Sequence, residues 1–182
     1  HLRMEPIMKP LDRIDVAIVN ALQNDARLSN KQLAGRVGLA PSCCLERVRR
    51  LRDEGVLRGF HAEVDPAAVG ANLEAMIVIR MKRHGGAVVE AFERAMLERE
   101  EVVAIYHLAG ANDFLMHVAV RDPEHLRAIA VDVVSNRPDV RDVETALIFG
   151  RRRGRGIPVY AAATEPRRDA AAGRRRGIDS RP

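Results

Sequence analysis

Between residues 28 and 55 the chain punctuates itself in a way that few folds accept. Ser29-Asn30-Lys31-Gln32 has the spacing of a capping box, so a helix opens there. Leu33, Ala34 and Val37 give that helix one apolar face, and Gly38 stops it, because a sharp helix exit needs a residue tolerant of positive φ. Three residues later Pro41 occupies a position suited to a first helical turn, which needs no amide hydrogen. Two short helices joined by Gly38-Leu39-Ala40, preceded by an amphipathic segment over Leu11–Gln23 with Asp12 or Asp15 near its start, predict a tri-helical helix-turn-helix. The second helix of the motif is expected from Pro41 to Glu54, ended by Gly55. A strand is expected over Val56–Val64, which makes the unit winged-helix-like, and Asp65-Pro66 turns the chain.

Such a helix fits the major groove and offers the side chains of its N-terminal half to base edges. On a wheel Cys44, Leu45, Val48, Leu51 and Arg52 share one side. Ser42, Cys43, Glu46, Arg50 and Asp53 lie opposite, with Arg47 and Arg49 on the flanks. Ser42, Cys43, Glu46 and Arg47 are therefore the candidates for base contacts, and Lys31, Arg49 and Arg50 for phosphates. The alternative is a plain helical hairpin with solvated arginines. Glu46 also argues against phosphate contact unless it accepts from a cytosine amino group.

Charge is unevenly distributed. Residues 1–62 carry +4, residues 63–149 carry −6 and residues 150–182 carry +7, within a net +5. A DNA-facing segment belongs at either end, and the acidic middle is unsuited to phosphates. The middle block reads as strand 74–82, helix 88–99, strands 102–109 and 113–120, a helix from Pro123 capped by Asp122 to about Asn136, and strand 140–149. That β-α-β-β-α-β order predicts a ferredoxin-like domain, so the fold class is α+β. The expected divisions are 1–10, a loose N-terminus or cloning remnant; 11–56, helix-turn-helix; 57–73, linker; 74–150, ferredoxin-like domain; and 151–182, a basic tail disordered over most of 161–182.

Other chemistry is thinly supported. His107 and His117 fall on neighbouring strands as ordinary exposed strand histidines, and without a third ligand no metal is expected. Adjacent Cys43 and Cys44 form neither a CxxC knuckle nor a disulfide framework. Cys43 as a redox sensor is weighed against Cys43 as a merely small residue beside a core Cys44, and the latter is preferred. A His107/Asp113 acid–base pair would make a small enzyme, but no nucleophile or phosphate loop accompanies it, so no catalysis is expected. With no run of eighteen apolar residues and no signal peptide, the expected location is the cytoplasm, on the nucleoid.

The ordered motifs Leu11-Asp12-Arg13-Ile14-Asp15, Leu22-Gln23-Asn24-Asp25-Ala26-Arg27, Asn30-Lys31-Gln32-Leu33-Ala34, Arg36-Val37-Gly38-Leu39-Ala40-Pro41-Ser42, Arg47-Val48-Arg49-Arg50-Leu51 and Gly55-Val56-Leu57 resemble the Lrp/AsnC family of transcriptional regulators. Gly59–Pro66 is similar to that family's link strand, and Leu108–Leu115 to its effector loop. The resemblance implies sequence-specific duplex binding by a dimer joined through its sheets, assembly into octamers or other multiples, no cofactor, and an amino-acid effector held between dimers. It assigns the effector to Gly110, Asn112 and Asp113, with Thr145, Ala146, Leu147 and Ile148 nearby. Asp113 suits an ammonium group, or equally a hairpin-stabilising role. Glu46 stands where many relatives are basic, and Ala111-Asn112 where an acidic residue before an aromatic is common. An architectural DNA-wrapping protein of little sequence preference is the alternative.

Overall fold

The computed structural model describes residues 10–83, 85–152, 154 and 156–160. It divides into two compact units: the described residues up to His61 together with those after Arg152, and Ala62–Arg152.

The first unit is helical. Helix α1 spans Arg13–Asn24, α2 Asn30–Val37 and α3 Pro41–Asp53. Each start has a local cause. Asp12 caps α1 reciprocally with Asp15: the Asp15 N–H donates to Asp12 Oδ1 at 2.8 Å and the Asp12 N–H to Asp15 Oδ2 at 3.1 Å. Ser29 and Gln32 form the second such box. Helix α3 has no side-chain cap and relies on Pro41 in its first turn. Gly38 closes α2 at φ 71°, where a Cβ would be strained. Ile18, Leu22, Leu33, Ala34, Cys44 and Leu51 make a core of their own.

Residues 156–160 join this unit. Gln23 receives the Ile157 N–H at 2.7 Å and donates to the Ile157 carbonyl at 3.0 Å, while Val159 packs on the helical core. Gly156, at φ 120°, has no Cβ to strike Gln23 Oε1, which would lie 2.7 Å away. This part of the expected tail is thus built into the helical unit; residues 161–182 lie outside the described residues.

The strand expected over Val56–Val64 is absent. Arg58–Asp65 is exposed and unpaired with any strand, and a short 3-10 turn at Ala67–Val69 follows. A strand needs a partner strand, and none of the ladders among the described residues includes this segment.

The second unit orders β1 Leu73–Met81, α4 Gly86–Leu97, β2 Val102–His107, β3 Phe114–Val120, α5 Pro123–Arg127 and β4 Val140–Leu147. The sheet runs β2-β3-β1-β4 with every pair antiparallel. Alternation on β1 sends Ala75, Ile77, Ile79 and Met81 into the core with Phe114, Met116, Val118 and Val120 of β3. Phe92 and Met96 of α4 cover them, as do Leu126, Ile129 and Val134 from the second helical segment. Beyond Arg127 that segment is wound as a π-helix over Ala128–Ser135, which puts Ile129 and Val134, five apart, on one face.

Candidate nucleic-acid interface

Helix α3 presents a solvent-facing stripe of Ser42, Glu46, Arg49 and Asp53, with exposed Cys43 beside it. Lys31 is exposed in the first turn of α2. The two helix starts are tied together, because the Asn30 side-chain amide donates to the Pro41 carbonyl at 2.7 Å. That bond sets where Ser42 stands relative to Lys31. Sequence reasoning read Asn30 only as part of a cap and missed the bond, whose partners lie eleven residues apart.

Arg47 and Arg50 are placed differently from the wheel reading. Both are half-buried and turned toward α1. Arg47 Nη1 donates to Asp12 Oδ2 at 2.6 Å and to Asp15 Oδ1 at 2.9 Å, and Arg50 Nη2 donates to Asp15 Oδ1 at 2.6 Å. Arg50 therefore does not belong to the open face, nor does Leu45, at 39% exposure, belong wholly to the packed one. The cause is Asp15, a carboxylate only 1% exposed, which must be paired to be buried. Burial pushes its carboxyl up, and hydrogen bonds from Arg50, the Asp12 N–H and Arg47 outweigh that and hold it below the ordinary range. Asp12 is likewise lowered: burial raises it, and the Asp15 N–H and Arg47 prevail. Arg47 is raised by both carboxylates. Burial raises the thiol of Cys44, away from thiolate chemistry.

This has a pH consequence. The folded value of Asp15 lies below its ordinary 3.8, so its ion pairs contribute stability above that pH and lose it as pH falls through the folded value. Circular dichroism during acid titration is expected to show the helical unit loosening below about pH 4. In Asp15→Asn that part of the acid slope should vanish; an unchanged slope would refute the assignment.

At the expected effector loop, Gly110 takes φ 148° and the following residues clamp the loop to the end of β1. The Asp113 N–H donates to the Ile79 carbonyl at 3.0 Å, and Asp113 Oδ2 accepts the Met81 N–H at 2.7 Å. Asn112 Oδ1 accepts from Arg80 Nε at 2.8 Å. Thr145, Ala146 and Leu147 are exposed on β4 opposite Ile77, Met76 and Ala75, and the Ile148 N–H bonds to the Glu74 carbonyl at 2.9 Å. The loop thus lies beside Ile79–Met81 on one flank of β1, and the β4 residues run along Glu74–Ile77 on the other. Arg80 spans the two flanks, donating to Asn112 and lying 3.9 Å from Glu144 Oε1 beside Thr145.

The histidines are also settled by geometry. His117 is buried at 5% exposure, not an exposed strand residue, and lies 2.9 Å from Glu74 Oε1. His107 stacks on Phe114 with ring centroids 5.0 Å apart. Among the described residues no group of three or more His, Cys, Asp or Glu side chains could hold a metal ion. Among them, too, no helix is long and apolar enough to cross a membrane.

Residues 11–52 match the AsnC-type helix-turn-helix domain, and residues 74–155 the Lrp/AsnC ligand binding domain. The chain belongs to the Lrp/AsnC family. Its relatives are transcriptional regulators, and this Lrp/AsnC chain is a DNA-binding regulator with a helix-turn-helix followed by a ferredoxin-like domain. It is 44% identical to the HTH-type transcriptional regulator AldR of Mycolicibacterium smegmatis over 80% of this chain and 85% of that one. Against the leucine-responsive regulatory protein of Escherichia coli the identity is 37%, over 78% and 86% of the two chains. Among solved structures it is similar to MtbAldR, with a TM-score of 0.72 and 40% identity over 82% of this chain and 98% of that one. A transcriptional regulator from Neisseria meningitidis, solved in complex with L-Met, gives a TM-score of 0.71 at 26% identity, over 85% and 97%.

Proposed function

We propose that this Lrp/AsnC regulator reads a specific duplex site with the exposed stripe of α3 and is modulated by an amino acid held between copies of the chain. Ser42, Cys43 and Glu46 are the base-contacting residues, and Arg49 and Lys31 the phosphate contacts. Arg47 and Arg50 act from behind, on the α1 side. The divisions 11–56, 57–73 and 74–150 then separate reading head, linker, and assembly and ligand domain, with location on the nucleoid following from the DNA partner.

The observation that carries the effector reading is the placement of the two groups on the flanks of β1, with the β4 residues open to solvent. Gly110, Asn112 and Asp113 lie beside Ile79–Met81 and Thr145, Ala146, Leu147 and Ile148 along Glu74–Ile77, on the two flanks of β1, and a second copy set over this end of the sheet would enclose a small amino acid between them. The sheet face away from the helices supports self-association. It carries Met76, Val78, Leu115 and exposed Tyr106, an apolar surface of the kind buried between subunits. A homodimer through that face, multiplied into an octamer or a similar closed assembly, would provide the second copy. No catalytic step is proposed, since His107 is stacked on Phe114 and the Asp113 carboxylate already accepts the Met81 N–H.

The test has two arms. A duplex selected by the chain from a random pool should bind at least a thousandfold tighter than random duplex at physiological salt, on the order typical of specific regulators. A ratio near one would favour an architectural wrapper. In a thermal-shift and mass screen of the twenty amino acids, at least one should raise the melting temperature or change the assembly mass. An effector alters DNA affinity only by binding two assembly states unequally, so no response from any of them would remove the effector reading.

A further inference from the structure

Helix α3 carries four arginines, Arg47, Arg49, Arg50 and Arg52, yet two are neutralised from within the fold. Asp12 and Asp15 hold Arg47 at 2.6 and 2.9 Å, and Asp15 holds Arg50 at 2.6 Å. The acids are not free to let go. Each also accepts a backbone N–H from the other's residue, so releasing an arginine by swinging a carboxylate away opens the first turn of α1. The arginine side chains are 30% exposed, buried enough to be held and open enough to reach a phosphate if released. With Glu46 and Asp53 on the open stripe, four carboxylates oppose the four arginines of this helix.

We infer that Asp12 and Asp15 are specificity-determining positioning residues, which withhold Arg47 and Arg50 from DNA phosphates and fix α3 against α1 in one register. The inference deepens the proposed function and rests on α3 facing DNA. Non-specific affinity is almost wholly phosphate neutralisation, whereas specific affinity adds base contacts. Two arginines held back therefore lower binding to random sequence by a larger factor than binding to the site, provided that the locked helix presents Ser42, Glu46 and Arg49 correctly. A regulator facing a genome of competing sites gains from that difference.

The sign of the effect separates this role from a merely structural one. Asp12→Asn keeps an N-cap oxygen, since asparagine caps about as well as aspartate, while removing the nearer of the two charges that hold Arg47. In salt titrations of the full chain, it should bind random duplex about three- to tenfold tighter at 0.1 M salt, with a slope of log K on log salt steeper by up to about 1. Binding to the duplex selected by the wild-type chain should rise less, so the specificity ratio falls. Asp15→Asn should go further, with a slope steeper by up to about 2. If Asp15→Asn fails to fold, Asp12→Asn, whose carboxylate is half exposed, decides. A folded Asp12→Asn that binds random duplex no tighter than wild type, or weakens both duplexes equally, overturns the inference. Arg49→Ala serves as the control for the underlying reading: it must weaken random-duplex binding. If it does not, α3 does not face DNA, and that reading fails rather than the role of the acids.

Discussion

Replacing Leu51 by alanine is expected to unfold the helical unit of this regulator on the order of 10–30 °C earlier while leaving the sheet unit in place. Leu51 is fully buried in a core whose other buried members are few: Ile18, Val19, Ala21, Leu22, Leu33, Ala34 and Cys44. Its truncation removes apolar contacts and leaves a cavity that so small a unit closes poorly, at a cost of about 2–5 kcal/mol. A unit of this size has little stability to spare. The sheet unit keeps a separate core around Phe92, Phe114 and Ile77, to which Leu51 contributes nothing. Calorimetry of the full chain should therefore show one transition moved and another unmoved, with DNA binding lost above the lowered one. A single transition shifted as a whole would mean that the two cores unfold together.

Those two cores were legible in the sequence for a simple reason. Each rests on local signals: Asp12 and Ser29 as caps, Gly38 and Pro41 as stop and start, and strict alternation in Ala75, Ile77, Ile79 and Met81. Periodicity reports which side of an element is apolar. It says nothing of what stands across from the polar side, and this is where the reading of the site departed from the structure. The wheel puts Arg50 on the polar side as a phosphate contact, yet Asp15 meets it across a sequence gap of thirty-five residues. Asn30 to Pro41 and Gln23 to Ile157 are contacts of the same kind. The strand expected after Val56 is the complementary case, a segment that no strand ladder among the described residues includes. The effector residues, carried over by family resemblance, came without the distance between them. Only the register of β1 with β3 and β4 shows that they stand on its two flanks, the loop beside Ile79–Met81 and the β4 residues along Glu74–Ile77.

Glu46 is where the proposed reading makes its boldest demand, and Glu46→Gln is expected to change which base is preferred rather than merely how tightly DNA is held. The residue is exposed on the open stripe of α3, one turn from Ser42 and three residues from Arg49. A carboxylate in the major groove can only accept, and the donor available on a base edge is chiefly the cytosine N4 amino group. Elsewhere it meets acceptors and phosphates and is repelled. The glutamine amide both donates and accepts, which matches adenine N6 and N7. The substitution should therefore move one position of each half-site from cytosine toward adenine, by about 1–3 kcal/mol, a change of roughly ten- to a hundredfold in the ratio of affinities. Removing one anion should also raise binding to random duplex. Selection from a random pool with wild type and variant in parallel reads both effects. Identical selected motifs would remove Glu46 from the base-reading set and leave it as one more carboxylate opposing the arginines of α3.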